Sequence, residues 1–288
     1  MLTMRQVADL RRTLDGWRRA GQTIALVPTM GALHAGHLSL VSIARAHADR
    51  VVASLFVNPR QFGPKEDFAR YPRNEAADAA AFEAAGIDLL WAPDVAAMYP
   101  AGSATTVSVE GPALGLEAST RPGFFAGVAT VVAKLFTQTG ADVAVFGEKD
   151  WQQLQVIRRM AADLDLRIRV LSGPTVREAD GLAMSSRNAY LSDADRRRAP
   201  ALHGTLRRTA EALCRGSAVD AALAEGRAEL EAALDGLDYL ELRHAESLAP
   251  LERLEAPARL LAAVRLGSTR LIDNIAVPSG ERREGGAP

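Results

Sequence analysis

A chain of 288 residues with 48% hydrophobic and 24% charged residues has an ordinary globular composition. At that length a protein buries about 75% of its unfolded surface and needs no disulfide or metal staple. Lys plus Arg number 34 and Asp plus Glu 35, a formal net charge of −1, so the chain lacks the basic excess expected of a nucleic-acid-binding protein. The one cysteine, Cys214, excludes an internal disulfide and a cysteine-based metal cluster and favours a reducing compartment.

The N-terminal MLTMRQVADLRRTL has no uninterrupted apolar run of the secretory type. Apolar runs such as residues 51–57 fall far short of the roughly 20 residues that span a bilayer. A cytoplasmic protein with no membrane partner is the expectation. Residues 3–20 read as an amphipathic helix through Val7, Leu10, Leu14 and Trp17. A strand over 24–27, a turn over 28–31 and a helix over 37–48 follow. The continuous apolar run 51–57 reads as a strand buried on both faces. Residues 58–72, with three prolines and one glycine, form a long connecting loop, a frequent location for binding residues. A helix over 74–85, a strand over 87–91 and a Gly/Pro-rich stretch near 100–115 come next. Beyond it lie a helix over 125–138, a strand over 142–146, a helix over 151–164 and a strand over 167–171. This alternation predicts βαβ units on a parallel sheet covered on both faces. Past about residue 176, helices over 193–213 and 218–234 precede strands over 239–243, 260–266 and 272–277. That pattern predicts a smaller α+β domain, with a frayed tail from about 279.

Four segments carry candidate chemistry. Pro28 to His37 (PTMGALHAGH) links a strand to a helix, at the sheet edge where open α/β folds bind ligands. A helix N-terminus there offers unpaired N–H groups to phosphate, and Gly31 and Gly36 permit close backbone approach. His34 and His37 share a face of the first turn and can donate to phosphoryl oxygens; a metal half-site and an incidental pair are the competing readings. Asp180 to Asn188 (DGLAMSSRN) supplies two hydroxyls and a guanidinium, donors suited to a polyphosphate. Phe146 to Gln153 (FGEKDWQQ) again joins a strand to a helix, with Lys149 as a positive charge and Asp150 at the cap position. In Phe56 to Pro64 (FVNPRQFGP), Asn58 and Gln61 leave a buried strand as neutral amides able to read a small polar substrate.

The first two motifs together resemble the nucleotidyltransferase superfamily. The segments PTMGALHAGH, FVNPRQFGPKEDFARYPR, FGEKDWQQL, GPTVREADGLAMSSRNAYL, DYLEL and RLIDNIAV, in this order over about 3–277, resemble the pantoate–β-alanine ligase family. The resemblance implies a Rossmann-like ATP- and pantoate-binding domain over 1–175, a smaller C-terminal lid over 176–288, and a homodimer. It implies ATP as co-substrate with Mg²⁺, and condensation of pantoate with β-alanine through a pantoyl adenylate. Carried over by position, the ATP site falls on Met30, Gly31, Ala32, Leu33, His34, Ala35, Gly36 and His37. It continues at Gly147, Glu148, Lys149, Asp150 and Val176, and at Met184, Ser185, Ser186 and Arg187. His37 matches the family's proton donor, and His34, Lys149 and Arg187 are the other catalytic candidates. Gln61 and Gln153 match pantoate-binding amides, with Asn58 and Arg121 beside them. Asp78 corresponds to an acidic residue near the metal.

Two positions depart from the family pattern. Phe124 stands where His is usual and Ala126 where Arg is frequent, while Arg121 is retained. Both departures bear on substrate handling, not on the ATP motifs. Synthetases of the same superfamily need a tRNA-binding domain, and the phosphopantetheine adenylyltransferases are shorter and lack the Asn-Pro-x-Gln-Phe-Gly segment. A non-catalytic nucleotide-binding relative is the alternative of a different class.

Overall fold

The computed structural model describes residues 1–64 and 66–279; the tail expected over 280–288 lies outside them. The chain divides into two compact units. The first comprises residues 1–176 with Met184–Ser186, and the second Arg177–Ala183 with the residues from Arg187 onward.

The first unit runs β1 (Leu2–Met4), α1 (Val7–Arg19), β2 (Ile24–Thr29), α2 (Ala35–Arg45), β3 (Arg50–Leu55), α3 (Glu75–Ala84) and β4 (Leu89–Trp91). It continues with α4 (Val95–Met98), α5 (Glu117–Thr120), α6 (Phe124–Thr139), β5 (Val143–Gly147), α7 (Trp151–Asp163) and β6 (Arg169–Gly173). All six strands are parallel, in the order β1-β4-β3-β2-β5-β6. The strict alternation of a strand divides each segment between two cores. Ile24 and Leu26 pack with Leu10, Leu14, Leu135 and Leu154 under α1, α6 and α7. Ala25 and Val27 pack with Leu40, Val41 and Phe82 under α2 and α3. The fold is therefore the doubly covered parallel sheet expected, Rossmann-like in layout.

Two elements differ from their expected form. The helix expected over 3–20 starts at Val7, because Leu2–Met4 pairs in parallel with Leu89–Trp91 and closes the sheet edge. Three residues carry no usable periodicity, so only the open backbone of β4 reveals this strand. The helix expected over 193–213 is two helices, α8 (Asp193–Arg198) and α9 (Ala201–Cys214), divided at Pro200. Proline has no N–H to continue the ladder and its ring crowds the preceding turn.

The second unit adds α10 (Val219–Ala233) and the strands β7 (Gly236–His244), β8 (Ala258–Leu266) and β9 (Thr269–Val277). The strands form one antiparallel sheet, β7-β8-β9, and Leu202, Leu206, Leu223 and Leu230 of the helices pack on Leu240, Leu260 and Val264. A buried ion pair ties this unit to its first segment: Arg177 donates to both oxygens of Asp273, at 2.7 and 2.9 Å. Burial opposes ionisation of Asp273, but the nearby His203, 3.5 Å away, and the bonds from Arg177 outweigh it and hold the carboxyl below its usual range. Among the described residues, no helix is long and apolar enough to cross a membrane.

Candidate active site

From β2 the chain moves to β3 and then β4 on one side, whereas β5 and β6 lie on the other. The order reverses between β2 and β5, and at such a switch point the loops after the strands part and leave a crevice. Three adjacent strands, β3, β2 and β5, deliver the Asn58–Gln61 segment, the Met30–His37 turn and the Gly147–Asp150 turn to this one edge.

The Met30–His37 turn is built for backbone exposure. Gly31 has φ +85°, and a Cβ there would lie 2.7 Å from Asp78 Oδ2 and 2.8 Å from Leu55 Cδ1, so no other residue fits. His34 is the N-cap of α2; its Nδ1 accepts from Gly36 N at 3.1 Å, and the His34 N–H points back at His37 Nδ1 at 3.4 Å. With both Nδ1 atoms accepting, each neutral imidazole carries its proton on Nε2. The two rings stand 4.1 Å apart between centroids. Burial, then the neighbouring His34 and Lys149, push His37 down to about 3. Burial, followed by Lys149, also lowers His34. Both rings are therefore neutral near pH 7 and offer Nε2–H hydrogen bonds, not positive charge. The two Nδ1 atoms already bound to backbone argue against the metal half-site reading.

Asp78 is engaged by the backbone of the histidine turn. It is 5% exposed, and its carboxylate accepts from Ala32 N at 3.0 Å and Leu33 N at 2.9 Å. Both oxygens thus hold the turn that presents His34. Among the described residues no group of three or more His, Cys, Asp or Glu is placed to hold a metal ion. The described side chains of this edge do not form a metal cage.

The amide segment is tied down by partners distant in sequence. Asn58 is 1% exposed; its Nδ2 donates to Gln61 Oε1 and Gly127 O, both at 3.1 Å, and its Oδ1 accepts from Arg60 N and from the Tyr99 hydroxyl at 2.9 Å. All its polar capacity goes to protein, so Asn58 positions Gln61 and does not face a substrate. Burial raises Tyr99 to about 12, against the opposing Arg60, so its hydroxyl remains a donor. Gln61 Nε2 lies 2.9 Å from Met30 Sδ, which joins this segment to the histidine turn. Gly127 permits the approach of α6, since a Cβ there would lie 2.1 Å from Arg60 O. Gln153 is half-buried on α7. Its neighbour Gln152 is a structural residue, accepting from Glu117 N and donating to Pro112 O.

Arg121 does not stand open to a ligand. Its Nε and Nη2 donate to the two oxygens of Glu66, both at 2.7 Å, and Nη2 also reaches Gln61 O at 3.2 Å. The guanidinium lies 3.6 Å from the centroid of Phe124. Ala126 contributes only its carbonyl, which accepts from Thr130 Oγ1.

Just after β5, the Glu148 carboxylate accepts from Ser172 Oγ at 3.0 Å, bracing the ends of β5 and β6. Lys149 Nζ lies 3.9 Å from Asp150 Oδ1; Asp150 occupies the N-cap position of α7, but its side chain makes no capping bond. Within the first unit, Met184 N donates to Val176 O at 3.0 Å, and Ser186 Oγ lies 3.2 Å from the Tyr71 hydroxyl. The sequence offers no sign of Tyr71, an aromatic in a proline-flanked loop. Arg187 belongs to the second unit, next to Asn188, which donates to Glu178 Oε1 and Ala183 O.

A Rossmann-like α/β unit with a neutral histidine pair, a lysine and neutral amides at its switch point defines a nucleotide-handling class of protein. The model of the family described as pantoate-beta-alanine ligase matches residues 2–276, and the chain belongs to that family of ligases. A pantothenate synthetase of Rhodopseudomonas palustris (strain HaA2) is 57% identical over 275 residues, 95% of this chain and 97% of the relative. One from Rhodospirillum rubrum is 59% identical over 275 residues, covering 95% and 98%. The crystal structure of pantothenate synthetase from Thermus thermophilus superposes with TM-score 0.91 at 50% identity, over 96% of this chain and all of that one (100%). A pantoate-beta-alanine ligase from Francisella tularensis, solved with beta-gamma ATP and beta-alanine, gives TM-score 0.79 at 30% identity, covering 96% and 97%.

Proposed function

We propose that this chain condenses (R)-pantoate with β-alanine at the expense of ATP, giving pantothenate, AMP and diphosphate through a pantoyl adenylate. The convergence of the Met30–His37 turn, Gln61 and Lys149 on one sheet edge, in a chain matched to the family along nearly its whole length, carries this reading. The relative solved with a nucleotide and beta-alanine supports the same substrate classes.

A carboxylate is a poor electrophile and must be activated before an amine can displace oxygen from it. A pantoate carboxylate oxygen attacks the α-phosphorus of ATP, and the bond to the diphosphate oxygen breaks. Negative charge grows on the α-phosphoryl oxygens and on the leaving group. The Nε2–H groups of His34 and His37, the Lys149 ammonium and the Ser185 and Ser186 hydroxyls are fixed donors for that charge. Because neutral imidazoles need no counter-ion, they wait in the crevice without attracting a competing anion. The same charge would raise the His37 affinity for a proton as the reaction proceeds. The amine of β-alanine then attacks the acyl carbon, the bond to AMP breaks, and the ammonium proton is released. By its motif, Arg187 is the further catalytic candidate carried by the family resemblance. Gln61 and Gln153 read the pantoate hydroxyls and carboxylate. Mg²⁺ would arrive as the counter-ion of the nucleotide, since the described side chains at this edge form no cage for it.

On the family resemblance we also take residues 1–175 as the ATP- and pantoate-binding domain, 176–288 as a lid domain, and the working form as a cytoplasmic homodimer. Release of diphosphate and AMP from Mg-ATP and D-pantoate, with and without β-alanine, tests the function. Diphosphate release that requires pantoate, with sustained AMP turnover only when β-alanine is present, is the expected result. Nucleotide turnover indifferent to pantoate would refute the substrate assignment and leave a nucleotide-binding relative. In His37→Ala, adenylate formation falls by about 10²-fold, the loss typical of one transition-state donor.

A further inference from the structure

We infer that Arg121 is a positioning residue that latches the substrate loop, and that Phe124 is the aromatic platform on which the latch closes. This deepens the reading in which Gln61 contacts pantoate and rests on it.

Four partners engage Arg121 at once: Glu66, the Gln61 carbonyl, Glu117 and the Phe124 ring. Its guanidinium has five N–H groups in a rigid fork. One edge is held by the Glu66 carboxylate in a bidentate pair, at 2.7 Å on both arms. Nη2 donates as well to the Gln61 carbonyl at 3.2 Å, and Nη1 reaches Glu117 Oε2 at 3.4 Å. The flat face lies on the Phe124 ring, 3.6 Å from its centroid. Phe124 is in turn braced by Phe125, 4.9 Å away between centroids. Arg121 is 15% exposed along its side chain and Glu66 24%, so solvent screens this pair less than an open surface pair.

The connections define what the latch does. Glu66 and Gln61 both lie in the loop that follows β3, whereas Arg121, Glu117 and Phe124 belong to the segment that enters α6. Arg121 therefore staples that loop to the α6 entrance and fixes the backbone of Gln61 through its carbonyl. Asn58 fixes the Gln61 side chain from the other end, at Oε1. The Gln61 amide is then held at both backbone and side chain before any substrate arrives, so binding need not order it. A phenyl ring at 124 suits this task because it attracts the guanidinium through its face and carries no charge at any pH. An imidazole there would become cationic against Arg121 on acidification. The departure at Phe124 is thereby a working part of the loop, not a missing substrate contact.

The test compares Phe124→Leu, Phe124→Tyr, Glu66→Gln and Arg121→Lys in the full-length protein. Steady-state kinetics and amide hydrogen exchange of residues 58–64 in the ligand-free protein are the readouts. The latch predicts a pantoate KM raised about threefold to tenfold in Phe124→Leu and Glu66→Gln, with kcat within twofold and the ATP KM unchanged. Exchange of the loop amides should rise in the same two variants. Phe124→Tyr, which keeps the aromatic face, should restore both readouts, and Arg121→Lys, which loses the fork, should not match wild type. The inference is overturned if Phe124→Leu and Glu66→Gln leave loop exchange and pantoate KM unchanged. It is equally overturned if Arg121→Lys abolishes pantoate binding while loop exchange stays at the wild-type rate, since Arg121 would then be a direct ligand. Pantoate titration of Gln61→Ala separates this from the reading beneath it. Unaltered affinity there removes Gln61 from the substrate, while loop exchange in the Phe124 and Glu66 variants still decides the latch.

Discussion

Asp78→Ala removes the acceptor of two backbone N–H groups, Ala32 and Leu33, at 3.0 and 2.9 Å from a carboxylate that is 5% exposed. Each hydrogen bond to a charged acceptor contributes about 1.5–3 kcal/mol net, and deleting the acceptor leaves both donors unmatched. Those net values already include desolvation of the carboxylate, and the low end of the range applies to one this deeply buried. The expected loss is then about 3 kcal/mol, or roughly 6–12 °C in the melting temperature of a unit of this size. All three tryptophans, Trp17, Trp91 and Trp151, belong to the first unit. Tryptophan fluorescence during urea or thermal unfolding therefore reports the affected unit directly. Asp78→Asn retains one acceptor but turns a second donor toward a backbone N–H, and should lose about 2 kcal/mol. Adenylate formation should fall in both variants, because the turn held by Asp78 presents His34. An Asp78→Ala protein with wild-type stability, whose one defect is a higher Mg²⁺ requirement, would refute this reasoning and restore Asp78 to the metal.

Acid should weaken the first unit through its histidines. His37 stands at about 3 when folded against an ordinary histidine value of 6.5, so below 6.5 the unfolded chain binds the extra proton. Its contribution is fully present above pH 6.5 and is lost as pH falls toward 3. Subtracting the stability curve of His37→Gln from that of wild type should expose this slope, and parallel curves would contradict it. Gly127→Ala should push the Pro59–Gln61 turn away from α6, because the new Cβ would lie 2.1 Å from Arg60 O. A cost of about 1–3 kcal/mol and a weaker pantoate affinity are expected, and wild-type values of both would show that the helix yields instead. Asp273→Ala leaves Arg177 without its bidentate partner, and far-UV circular dichroism should show a loss of about 3–5 kcal/mol in the second unit. A loss under about 1 kcal/mol would mean that the pair is replaceable by solvent.

Much of the layout was legible from pattern alone. The apolar runs at 24–27 and 51–57 mark central strands because a doubly covered parallel sheet leaves them no polar face. The histidine turn stands out because it combines two glycines with a strand-to-helix junction. Less legible were the edge strand Leu2–Met4, too short for periodicity, and the break at Pro200 inside an otherwise continuous helical pattern.

Local pattern along the chain was enough for the central strands, the order of the motifs and the residues of the histidine turn. These depend on periodicity and on residue types that few other structures would require together. Which polar groups at that edge remain available is a matter of tertiary packing alone. Asn58, Asp78 and Arg121 carry the chemistry of ligands, yet Tyr99, the Ala32 and Leu33 amides, and Glu66 already occupy them. Those partners lie 41, 46, 45 and 55 residues away along the chain. A buried donor or acceptor is satisfied by whatever the fold brings near it, and no reading along the chain reveals that neighbour.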